Sequence, residues 1–242
     1  MITSTKLTSG FCAALALVLF SQNSAMGALT QVIYSGTVGF SINSTGMFGP
    51  GSLDGLAYTM IYTIDDSAAG STLSSTPTMS AISGSGASSP VHLAITINGV
   101  TRTINGSQEG KAEQFDIIYS SGQPSNGSAD KVRQVSSEYT YVEGDYLHSY
   151  SAETWISSYA QDFVHSPDFR QPLTYAGSTG ADSIYNLVQF NDFNYVTNTQ
   201  VNYASLNLLI GSVQVTPVPE PSIWALATLG ATAVFKRRRT NR

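Results

Sequence analysis

Apolar and polar residues alternate with a period of two through much of this chain. Tyr58, Met60, Tyr62 and Ile64 alternate with Ala57, Thr59, Ile61 and Thr63, a spacing that puts one set on each face of a pleated strand. Val91, Leu93, Ile95 and Ile97 alternate again, Asn98-Gly99 follows, and Val100 to Ile104 returns. Asn-Gly between two alternating runs supplies the positive φ of a tight turn, so 91–104 is predicted to be a β-hairpin. Asn105-Gly106 and Asn126-Gly127 are further turn signals. Strands are also predicted over Val32 to Phe40, Phe115 to Tyr119, Val132 to Val142, Thr154 to Tyr159, Ile184 to Phe190 and Leu206 to Val215.

Between Asp65 and Pro90 the chain is rich in Ser, Gly, Thr and Ala. It has little there to bury and is predicted to be a long mobile excursion. No internal repeat is found, and no window outside the termini keeps a helical period. Many short strands separated by turns predict an all-β fold, an antiparallel β-sandwich or jelly-roll-like domain.

The two termini read differently. Met1 to Gly27 carries Lys6, an apolar core from Phe11 to Phe20, and small residues Ala25 and Gly27, the layout of a secretory signal peptide cleaved before Ala28. The single cysteine, Cys12, falls within it, so the mature chain is expected to have neither a disulfide frame nor a thiolate nucleophile. At the other end Ile223 to Phe235 holds no charge, and Lys236, Arg237, Arg238 and Arg239 follow at once. An apolar helix can satisfy its backbone inside lipid, and basic residues stay on the cytoplasmic side, so a short transmembrane helix is predicted. It falls short of the about 20 apolar residues a full span needs. Pro219 and Pro221 make the preceding Pro-Glu-Pro stiff and extended. The chain thus divides into a signal peptide (1–27), a β-rich exported domain (28–217) and a tail (218–242).

That tail, with Pro219-Glu220-Pro221, Ser222, an apolar segment containing Gly230 and then the arginines, resembles the C-terminal sorting signal of the PEP-CTERM family of exported bacterial proteins. The resemblance covers about the last tenth of the chain. It implies recognition by an exosortase-type processing enzyme, a membrane-embedded cysteine transpeptidase that removes the helix and passes the protein to the cell surface or the extracellular polysaccharide matrix. An ordinary membrane anchor that is never cleaved is the alternative. A second stretch, Ser35 to Ser67, looks like an N-terminal pattern of β-rich exported bacterial proteins: a Gly-Thr-Val strand, the Thr45-Gly46-x-Phe48-Gly49 turn, and Leu53-x-Gly55-x-x-Tyr58-Thr59. It implies a fold and no activity, with the glycines serving backbone angles and Phe48 the core.

Charge narrows the partners. Over 28–217 the basic residues are Arg102, Lys111, Lys131, Arg133 and Arg170, against the chain's 16 acidic residues less Glu220, a balance of −10 that the whole-chain value of −5 conceals. Nucleic acid is therefore not an expected partner. His92, His148 and His165 are too scattered for a local metal motif, and no motif implies a cofactor. Asp54, Asp65-Asp66 and Asn191-Asp192-x-Asn194 offer oxygen ligands without the spacing of a calcium loop, and Asx turns account for the latter two groups.

Glycoside hydrolysis needs two carboxyl groups about 5 to 10 Å apart, and Glu109, Glu113, Asp116, Glu138, Glu143, Asp145 and Glu153 could supply them as almost any acidic domain could. No Gly-x-Ser-x-Gly elbow is present. Aromatics remain. Trp155, near Tyr139, Tyr141, Tyr146, Tyr150 and Tyr159 in sequence, could stack against pyranose faces or could fill the core. The sequence thus leaves a structural or interaction protein of the envelope, a carbohydrate-binding module acting on exopolysaccharide, and an enzyme on polysaccharide. Exposure of Trp155 would favour the second, and two close carboxylates in a cleft the third.

Overall fold

The structure, a computed structural model, describes residues 29–117, 130–158, 161–176 and 182–218. The predicted signal peptide, the Pro219-Glu220-Pro221 tail with its helix and basic cluster, the Asn126-Gly127 turn, Tyr119 and Tyr159 lie outside these residues. Among the described residues every element is a strand: β1 (Leu29–Ile42), β2 (Ala57–Asp65), β3 (Thr72–Thr76), β4 (Met79–Gly84), β5 (Val91–Ile97), β6 (Val100–Ile104), β7 (Glu109–Phe115), β8 (Asp130–Val142), β9 (Tyr146–Ser158), β10 (Leu173–Ala176), β11 (Asp182–Asn194) and β12 (Thr199–Pro217). No helix among them is long and apolar enough to cross a membrane.

The strands form one curled antiparallel sheet in the order β3-β4-β7-β8-β9-β11-β12-β1-β2-β5-β6, with β10 also pairing with β12. β12 is long enough to serve two neighbours on one side, pairing with β11 through Thr199 to Asn207 and with β10 through Ser212 to Val215. The curl brings the β1–β2–β5–β6 flank over the β7–β8–β9–β11 flank. Polar contacts cross the interior between them. The Tyr34 hydroxyl on β1 donates to Gln134 on β8, the Tyr62 hydroxyl on β2 bonds Thr154 on β9 at 3.0 Å, and Asn186 on β11 donates to the Tyr58 hydroxyl at 3.3 Å. Around them pack Met60, Ile64, Leu93, Ile95 and Ile97, all buried, each worth about 1.5–3 kcal/mol by removal from water.

Period-two reading holds where apolar residues carry it. Tyr58, Met60, Tyr62 and Ile64 all point inward from β2, and Val91, Leu93, Ile95 and Ile97 do so from β5. The β5–β6 turn has φ of 52° at Asn98 and 75° at Gly99, positive at both central positions as a primed hairpin turn requires. Phe48 is buried against Phe190, with ring centroids 5.6 Å apart. At the β1 bulge a Cβ on Gly36 would stand 1.9 Å from the Leu209 carbonyl oxygen, so β1 and β12 approach there only because that residue is glycine.

The structure corrects the sequence reading in three places. The Asp65–Pro90 segment is not a bare excursion, because β3 and β4 pair with each other and β4 with β7. β7 covers Glu109–Phe115, ahead of the predicted run beginning at Phe115. Its inward residues are Gly110, Ala112 and Gln114, and the Gln114 amide donates to the carbonyls of Ser166 and Asp168 at 2.7 and 3.2 Å. Such a strand is held by its backbone ladder and shows no apolar alternation. β10 went unread because its four residues, with Leu173 and Tyr175 inward, are too short a run to show a period, and the first half of β9 because its inward residues are Tyr146, His148 and Tyr150.

Candidate functional site

β8, β9 and β11 lie side by side, and their alternation sorts the candidate residues. Thr154 and Ile156 point into the core, so Trp155 between them faces outward, half-buried. Register places Arg133 of β8 on one side of it and Tyr185 of β11 on the other. The Trp155 and Tyr185 rings are nearly parallel, at 15°, with centroids 6.0 Å apart. The Lys131 ammonium sits 5.2 Å from the Trp155 ring centroid, within cation–π range.

Beside this pair a cleft of about 460 Å³ runs across the outward face from Glu109 on β7 to Leu187 on β11. Val135 and Leu187 give it apolar ground, Ser137 and Ser151 give hydroxyls, and Glu153 and Tyr185 stand at its margin. Its size and mixed lining suit a small-molecule or sugar-unit subsite.

Ion pairs stiffen one wall. Arg133 donates to Glu153 at 2.8 Å and to Glu113 at 3.0 Å, and Lys111 reaches Glu113 at 2.7 Å. Burial pushes the Glu113 carboxyl up, but hydrogen bonds from Lys111 and Arg133 outweigh it and hold the group below its ordinary value. The Arg133 guanidinium is loosened by burial and held more strongly by Glu113 and Glu153, with its pKa raised on balance. A carboxylate so held is a poor proton donor, so Glu113 does not suit the acid of a glycosidase pair.

Sequence reasoning missed Tyr185. It lies far from Trp155 along the chain, and only strand register makes them neighbours. Of the tyrosines close to Trp155 in sequence, Tyr139 and Tyr141 share its outward face farther along β8, whereas Tyr146 and Tyr150 turn to the other face.

There they join a polar cluster on the inward side. The His148 ring is held at both nitrogens, by Asp192 at 2.7 Å and by Glu138 at 2.9 Å. Each ring nitrogen thus faces one carboxylate oxygen. Asp192 also accepts from the Tyr150 hydroxyl at 2.5 Å and the Asn202 amide at 2.7 Å. Burial pushes the Asp192 carboxyl up, but donors from Tyr150, Asn202, Tyr146 and His148 prevail and hold it below the usual carboxylate range. The Tyr146 hydroxyl is pushed up to about 12, by burial first and then by Asp192. Glu138 and Asp192 flank the His148 ring, which fills the space between the two carboxylates. The arrangement is a clamp joining β8, β9, β11 and β12.

Asp192 therefore braces the sheet rather than forming an Asx turn. Asp65 does make such a turn, accepting from the backbone N–H of Ser67 at 2.9 Å, while Asn194 accepts from the N–H of Thr197, three residues on, at 2.9 Å. Asp66 pairs with Arg170, and Asp54 accepts from Ser41. His92 is half-buried on β5, and exposed His165 lies 3.4 Å from Asp162. Among the described residues no three side chains stand together in a way that could hold a metal ion.

No protein-family model matches this chain, and neither a curated protein nor a solved structure matches it.

Proposed function

We propose that this is an exported protein of the cell envelope or extracellular matrix whose β-rich domain binds polysaccharide without cleaving it. The reading rests on the outward Trp155–Tyr185 pair beside the Glu109-to-Leu187 cleft. Flat, amphipathic rings contact a pyranose face at little entropic cost, while the neighbouring serine hydroxyls and carboxylates match sugar hydroxyls. On this reading the curled sheet serves as a β-sandwich whose flanks are the two layers, and one layer's outer face is the binding platform.

Trp155→Ala is expected to weaken retention on neutral polysaccharide by at least about tenfold, as loss of an aromatic hot spot does. The melting curve should stay close to wild type, because the side chain lies outside the core. Affinity electrophoresis through gels containing neutral polysaccharides measures it. Unchanged retention, or no retention of the wild type in any of them, would remove the glycan reading.

Export is the second part of the proposal. The signal peptide leads the chain across the inner membrane, the apolar tail holds it there transiently, and an exosortase-type enzyme cuts near Pro219-Glu220-Pro221. Glu220→Ala leaves apolar length and the Lys236 to Arg239 cluster untouched, so insertion is expected to continue while processing stops. Mass measurement of the surface-associated protein checks this: it should lack Trp224 and everything after it. Intact tails at the surface, with normal release of the Glu220 variant, would leave a plain anchor.

A second reading is a structural protein that docks onto other envelope proteins. It is favoured by Phe40 and Leu209, 58% and 57% exposed on the neighbouring strands β1 and β12.

A further inference from the structure

The outward face of β8, β9 and β11 continues past the cleft toward the β8–β9 hairpin. Ser137 and Ser151, with Gln189 beside them, form the row at the cleft's far edge, and Tyr139, Ser149 and Asn191 follow. Small polar residues therefore form a low floor beyond the Trp155–Tyr185 pair, and aromatic rings rise again at the far end. Tyr139 and Tyr141 are each 49% exposed and Tyr195 is 43% exposed. Tyr141 and Tyr195 meet edge to face at 6.0 Å, and the Tyr195 N–H donates to the Asp145 carbonyl at 2.8 Å. That bond ties the β8–β9 turn to the end of β11 and fixes rings from two hairpins in one cluster. These rings leave so much area in water that core packing does not explain them.

Trp155 and Ser149, the residue opposite Tyr139, are six positions apart on β9, which is about 20 Å of strand. A mono- or disaccharide reaches one aromatic group, and only an extended chain reaches both. Charge limits what that chain can be. Around the cleft Lys111, Lys131 and Arg133 are matched in number by Glu109, Glu113 and Glu153, while the exported part as a whole carries −10. A locally balanced face on an acidic body repels polyanions at long range and offers no surplus cation to hold them.

We infer that Tyr139, Tyr141 and Tyr195 form a second aromatic subsite, so that this face binds a neutral polysaccharide as an extended chain lying along β8 and β9. The inference rests on the glycan reading of the Trp155 cleft and adds to it a length requirement, a charge class and three residues.

Titration calorimetry of the purified full-length protein with cello- and laminari-oligosaccharides, from disaccharide to octasaccharide, tests it, with polygalacturonate as the anionic comparison. The wild type should gain about tenfold in affinity between the tetrasaccharide and the octasaccharide of the ladder it binds, the scale of added ring contacts. The Tyr139→Ala/Tyr141→Ala variant should lose that gain and keep the affinity for short oligosaccharides. Trp155→Ala should lose both. Short-chain binding with no gain on lengthening overturns the second subsite while leaving the glycan reading in place, and this comparison needs no variant to fold. A length gain that survives in the double variant also overturns it, as does equally tight binding of polygalacturonate. Absence of binding to either ladder at any length overturns the subsite together with the reading beneath it.

Discussion

Ile95→Asp is expected to leave no folded domain at neutral pH. Ile95 is fully buried on β5, its backbone paired with Met60 of β2 on one side and Arg102 of β6 on the other. Its side chain lies in the cluster that includes Met60, Leu93 and Ile97. A carboxylate there would be cut off from water, and the one cation opposite it, Arg102 of β6, is already turned to the Met47 carbonyl. The lost apolar burial and the uncompensated charge together cost more than about 5 kcal/mol, comparable with the entire stability of many domains. Circular dichroism and a urea titration measure the result. Thr103→Asp, on the exposed side of β6 and opposite Ala94, should stay within about 0.5 kcal/mol of wild type. A cooperative, unshifted unfolding curve for the Ile95 variant would mean that β5 does not face the core.

Asp192→Ala should be the next most damaging change. It removes the acceptor shared by His148, Tyr150 and Asn202, and leaves Glu138 as the only carboxylate on the His148 ring. Breaking one member of a buried charged group costs about 3–5 kcal/mol. The lower figure applies because the His148 side chain is 24% exposed. That corresponds to a fall in melting temperature of about 10 °C for a domain of this size. Acid should expose the same contact. The folded Asp192 carboxyl has a lowered pKa, so its stabilisation is complete above the unfolded value of about 3.9 and is lost as pH falls through the folded value. Melting temperatures followed down to that range should drop more steeply for the wild type than for Asp192→Ala. Equal acid slopes would show that the clamp contributes nothing through Asp192.

The Ile95 face was legible, because alternation over 91–97 and the Asn98-Gly99 turn are local and register follows from them. The Asp192 clamp was not. Asn191-Asp192-x-Asn194 looks like turn chemistry in isolation, and Asp192 acquires its role only when β11 lies between His148 and Asn202. Trp155 stood out by residue type, yet its partner Tyr185 and its outward direction came from the β9–β11 register.

What the sequence determined by itself is local: the strands whose inward positions are apolar, the turns that need positive φ at Asn98, Gly99 and Gly106, the acidic balance of residues 28–217, and the expectation of export from both ends of the chain. Tertiary structure alone decided the rest. β4 and β7 exist through backbone hydrogen bonds to their neighbours, since inward residues such as Gly110 and Gln114 carry no apolar signal. It also decided which aromatics share a face. Strand pairing joins residues distant in sequence, and a shift of register by one position would have sent Trp155 into the core and Thr154 to the surface.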